Sequence, residues 1–72
     1  MDLFEIGEIE HMRREEVAAR LHALADALER HNSVEFERSG RRLTVRVPDE
    51  VDLKIEVEIG AEGNELEIEL TW

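Results

Sequence analysis

The sequence predicts an α+β fold: one amphipathic helix packed on one face of a mostly antiparallel sheet of four to five strands, in the order β-α-β-β-β-β. Three observations predict it. Apolar residues recur at helical spacing between residues 13 and 31. From residue 34 onward they alternate with polar ones at the period of a half-buried strand. Turn signals at Ser39-Gly40, Pro48-Asp49 and Gly60 to Gly63 cut that alternation into a meander.

The first strand is expected over residues 3 to 9, where Phe4 and Ile6 flank Glu5. Gly7 interrupts it and Ile9 falls out of step with Ile6, which predicts a bulge or an early end. The helix follows over residues 13 to 31. Val17, Leu21, Leu24 and Leu28 fall on one stripe, and Ala18 and Ala25 widen it. Glu15 and Glu16 at its start and Arg30 and His31 at its end favour the helix dipole. Asn32 is expected as a left-handed stop.

The next strand turns Val34 and Phe36 inward. A two-residue turn at Ser39-Gly40 then pairs Phe36 with Leu43 and Val34 with Val45, so apolar meets apolar at both positions. The third strand carries Leu43, Val45 and Val47 and ends at Pro48, which has no N–H for a ladder. The fourth carries Leu53, Ile55, Val57 and Ile59, and the fifth Leu66, Ile68, Leu70 and Trp72. A turn centred on Ala61 to Asn64 pairs Ile59 with Leu66, Val57 with Ile68, Ile55 with Leu70 and Leu53 with Trp72. One face of the sheet is then aliphatic and lies under the helix, and the other is charged and wet.

A chain of 72 residues makes one domain, spanning residues 1 to 72, with a limited core. It has no cysteine, so neither disulfides nor thiolate metal sites brace it. That suits a reducing cytosol, and Met1-Asp2 does not open a secretory signal, so a cytoplasmic setting is expected. No stretch is apolar enough to span a membrane. Nine Lys and Arg against nineteen Asp and Glu leave a net charge of −10. That field repels nucleic acid and anionic membranes and attracts basic partners.

Taken together, the chain resembles the amphi-Trp domain family over almost its whole length. The residues that carry the resemblance are Phe4-Glu5, Arg14-Glu15-Glu16 leading into Leu21, Leu24-Ala25 and Leu28, Phe36-Glu37-Arg38 with Gly40, Val45-Arg46-Val47-Pro48, and the ending Glu67-Ile68-Glu69-Leu70-Thr71-Trp72. Two positions depart from its pattern: Arg13 stands where a capping serine is usual, and Lys54 stands among acids. The resemblance implies a fold and a size. It implies no activity and no catalytic residues.

Trp72 continues the inward series and is expected to close the open end of the core beside Leu53; the competing reading makes it an anchor for a partner. Glu56 and Glu58 are expected opposite Glu69 and Glu67, an arrangement of like charges that the fold does not demand. The simple reading is a solvated face that discourages edge pairing. The sharper one is a docking face for a basic partner. Its extreme form is a nucleic-acid mimic, because alternate carboxylates recur at about 6.8 Å, near the phosphate spacing of one strand.

The acids and glycines from Gly60 to Glu65 lack the ligand order of a calcium loop and read as a turn. His11, His22 and His31 share no face, so no metal site is expected, nor any cofactor. Arg38 is expected to face Arg41 across the Ser39-Gly40 turn, the one small basic spot. Ser33 and Ser39, the two serines, carry no signature of an activated nucleophile. The sequence therefore points away from an enzyme and toward a protein-interaction or accessory domain. The alternatives are an acidic decoy for a basic nucleic-acid-binding protein and a homo-oligomeric structural protein.

Overall fold

A computed structural model describes Gly7 and residues 9–72. The order is α1 (Arg14–Arg30), β1 (Ser33–Arg38), β2 (Arg41–Arg46), β3 (Asp52–Gly60) and β4 (Gly63–Thr71). The α+β class and the antiparallel strand pairs are as the sequence predicts. The strand expected over residues 3 to 9 falls largely outside the described residues; Gly7 and Ile9 belong to no strand, and Ile9 is fully exposed.

Helix α1 begins without a side-chain cap. Arg13 is extended (φ −72°, ψ 151°), and its carbonyl accepts the N–H groups of Glu16 (3.0 Å) and Val17 (3.1 Å). Glu15 and Glu16 in the first turn and Arg30 in the last complement the dipole. At the other end His31 donates its N–H to Ala27 (2.9 Å) and is itself extended. The left-handed stop expected at Asn32 does not form, because Ser39 is the one non-glycine with positive φ among the described residues. The Asn32 carbonyl accepts the Val47 N–H at 2.8 Å, continuing the β1–β2 ladder by one step. A residue recruited to a ladder cannot also turn left-handed.

The β1–β2 register is the expected one, with Val34 opposite Val45, Phe36 opposite Leu43, Glu37 opposite Arg42 and Arg38 opposite Arg41. Ser39 and Gly40 have φ of 50° and 75°, the doubly positive turn whose twist suits a two-residue hairpin. The β3–β4 register differs from the expected one by two residues. Leu53 faces Leu70, Ile55 faces Ile68, Val57 faces Leu66, and Ile59 faces Asn64. The turn shrinks to Ala61-Glu62, with Gly60 opposite Gly63. A Cβ at Gly60 would lie 3.3 Å from the Gly63 carbonyl oxygen, so the closing pair needs that position nearly bare. A shift of two residues leaves every side chain on its own face, so apolar matching does not distinguish the two registers. Charge does: the observed one sets Lys54 opposite Glu69.

The expected single sheet is instead two sheets of two strands each, β1–β2 and β3–β4. Residues 47–51 join them. Pro48 in this connector lacks a donor, and Asp49 and Glu50 are exposed, so no ladder carries across. Helix α1 comes within 8 Å, Cα to Cα, of β1 and of no other strand. The core therefore lies between α1 and β1–β2. Val34, at 9% exposure, is its one buried hydrophobic side chain among the described residues. Leu24, Ala27 and Leu28 of the helix and Leu43, Val45 and Val47 beside it are half-buried. The radius of gyration is 14.1 Å, against about 11 Å for a compact chain of this length. The difference reflects a β3–β4 ribbon that stands away from α1 and β1–β2.

Candidate interaction surface

The ribbon β3–β4 has two chemically opposite faces, generated by strict alternation in both strands. On one, three aliphatic pairs lie in succession: Leu53 with Leu70, Ile55 with Ile68, and Val57 with Leu66. Ile59 continues the row toward the turn, and Trp72 follows the last residue of β4. These side chains were expected under the helix. They are not: Ile55 is 62% exposed, Val57 64%, Ile59 82% and Leu66 66%. Of the row, Leu70 alone is half-buried. Trp72, expected to close the core, is 60% exposed and lies beyond the ladder, where Leu70 has taken its place opposite Leu53.

The other face carries Lys54 opposite Glu69, Glu56 opposite Glu67 and Glu58 opposite Glu65. The structure thus brings Glu56, Glu58, Glu67 and Glu69 onto one face as expected, but with new partners. Glu65 joins them opposite Glu58; alternation with Glu67 and Glu69 was the signal that would have placed it on this face. Lys54 Nζ lies 2.9 Å from Glu56 Oε2. That hydrogen bond, then the charges of Glu69 and Glu67, raise the lysine pKa above its ordinary 10.5. The departure noted at Lys54 is therefore a cation set among carboxylates.

A second concave region opens between α1 and β1. It is a cleft of about 950 Å³ whose lining includes Leu21, Leu24, Val34 and Phe36, with Glu10 and Arg20 at its rim. The Glu10 carboxylate accepts from Arg20 Nη1 (2.7 Å) and from Arg38 Nη1 (3.3 Å), tying the segment before the helix to both α1 and β1. Arg38 and Arg41 face each other as expected, and Arg42 reaches Glu37 at 3.5 Å. His11, His22 and His31 are exposed. Among the described residues, no group of three or more His, Cys, Asp or Glu is placed to hold a metal ion. Nor is any helix among them long and apolar enough to cross a membrane.

No curated protein and no solved structure matches this chain. The family model of the Amphi-Trp domain matches residues 3–72. Its strands are amphipathic and its C-terminal residue is the exposed Trp72, and the chain belongs to the Amphi-Trp domain family.

Proposed function

We propose that this chain is a non-enzymatic protein-interaction domain, working in the cytoplasm, whose contact surface is the aliphatic face of β3–β4 with Trp72 at its end. One observation carries the reading. Seven large apolar side chains (Leu53, Ile55, Val57, Ile59, Leu66, Ile68 and Trp72) stand 47–82% exposed on one ribbon. Monomeric proteins rarely leave a contiguous apolar row in water, and large exposed patches mark contact sites. An isolated two-stranded hairpin is also marginal in water, so this ribbon gains most from a surface laid against it. A tryptophan at the edge of such a row is the residue type most enriched among interface anchors.

Capture from a host lysate with the tagged protein and with an Ile55→Thr/Ile68→Thr variant tests the reading. Threonine keeps the strand propensity while removing the apolar contact. The wild type is expected to retain a discrete set of proteins, untagged copies of itself included, and the variant to lose it. Equal sets from both proteins, or nothing held by either, overturn the reading.

A second reading places a basic partner on the opposite face. Its support is that Glu56 faces Glu67 and Glu58 faces Glu65, pairs that weaken a ribbon unless another charge offsets them. Binding of that kind, including mimicry of nucleic acid, falls steeply as ionic strength rises. Salt-insensitive binding of a basic protein discards it.

A further inference from the structure

We infer that the occupant of the aliphatic ribbon face is a second copy of this chain, the two β3–β4 ribbons stacking face to face about a two-fold axis. The inference rests on the reading of that face as a contact surface, and it adds the partner. It is motivated first by area. The molecule exposes 7075 Å², whereas a compact monomer of 8.4 kDa exposes about 4600 Å². The seven exposed apolar side chains of the ribbon offer on the order of 100 Å² each. Together they approach the roughly 800 Å² per partner that a standard stable interface buries.

Shape favours the same occupant. The middle of the ribbon face is three successive aliphatic pairs, Leu53 with Leu70, Ile55 with Ile68 and Val57 with Leu66, flanked by Asn64 opposite Ile59 at the turn end, and such a row can pack against its own copy. Two such faces pack about 10 Å apart with their side chains interdigitated, the ordinary geometry of a two-sheet sandwich. A two-fold contact uses the same patch on both copies and closes on itself, so assembly stops at the dimer. Each lone hairpin thereby becomes half of a four-stranded core.

Charge permits the contact. Two chains at −10 each repel, but the carboxylates of the ribbon project away from the seam. Glu56, Glu58, Glu65, Glu67 and Glu69 lie on the outer faces of the sandwich. The two acidic faces are then separated by more than the sheet spacing, beyond a Debye length of about 8 Å at physiological salt. Lys54 beside Glu56, Glu69 and Glu67 reduces the outward charge further.

Sedimentation of the purified full chain across nanomolar to roughly 100 micromolar concentration tests the dimer, read together with emission from its single tryptophan. The wild type is expected to run at twice 8.4 kDa in the micromolar range, and Trp72 emission to shift red on dilution as the ribbon face meets water. Ile55→Thr/Ile68→Thr is expected to weaken self-association about 100-fold. Glu56→Gln/Glu67→Gln, on the outer face, is expected to dimerise at least as well as the wild type and so shows that the ribbon tolerates paired changes. A wild type that stays at monomer mass throughout overturns the dimer, as does a threonine variant that associates like the wild type. Open-ended growth overturns the two-fold closure. The contact-surface reading stands or falls separately, on whether lysate capture depends on Ile55 and Ile68.

Discussion

β1–β2 and β3–β4 are two hairpins written in the same alternating pattern, yet only the first is covered. Val34 of β1 is 9% exposed, and Leu43 and Val45 on the same face are half-buried, with Phe36 more open. The corresponding row of β3–β4 is open to solvent, although it is longer and more aliphatic. The difference lies in what each hairpin is joined to. His31 and Asn32 alone separate α1 from β1, so the helix folds straight back onto that strand. A connector containing Pro48 leads on to β3, and α1 comes within reach of β1 alone among the described strands. Alternation creates an apolar face; a neighbouring element within reach is what buries it.

The two apolar rows differ most in what an introduced charge costs them. Val34→Asp is expected to cost about 3–5 kcal/mol by placing an unpaired carboxylate in the core, abolishing cooperative urea unfolding of the helical signal in circular dichroism. Ile55→Asp in dilute solution is expected to leave that signal almost unchanged. Equal losses from both substitutions would mean that the ribbon is covered after all.

A smaller effect is expected at the turn of the covered hairpin. Gly40 has φ of 75°, and Gly40→Val should cost roughly 1–2 kcal/mol, lowering the urea midpoint of the helical unit. The uncapped start of α1 offers an effect of opposite sign. Arg13 makes no side-chain cap, so Arg13→Ser is expected to stabilise that unit by about 1 kcal/mol, read as a raised melting temperature.

The smallest change belongs to Lys54. Glu56, then Glu69 and Glu67, raise its pKa in the folded ribbon above 10.5. Its contribution is therefore complete below that value and disappears as pH climbs through the raised pKa. Lys54→Gln should destabilise the ribbon slightly at neutral pH, with the two proteins converging in alkali. A gap that widens in alkali would contradict the arrangement around Lys54.

The elements and their faces were legible because period-two alternation specifies which side of a strand is apolar. The β1–β2 register was legible as well, since Ser39-Gly40 admits one tight turn. The β3–β4 register was not, because Gly60 and Gly63 permit two loop lengths and sliding Leu53 from Trp72 to Leu70 keeps both on the same face. The lone cation among acids held the missing information: only one of the two registers gives Lys54 the opposing Glu69. Division into two sheets was illegible for a different reason, since alternation names a face and not the neighbour that covers it. The acidic half of the candidate surface could thus be read as Glu56, Glu58, Glu67 and Glu69. The aliphatic half was read as core, because nothing local to Ile55 or Leu66 records how far α1 extends.

The short bond from the Val47 amide to the Asn32 carbonyl has a mechanical consequence. It pins the exit of β2 beside the entry of β1, so residues 48–51 act as a lever arm rooted at a fixed pivot. Four extended residues reach at most about 14 Å, which bounds the arc through which β3–β4 can swing. Deuterium uptake should accordingly step at this pivot, slow at Val47 and rapid at Asp49 and Glu50.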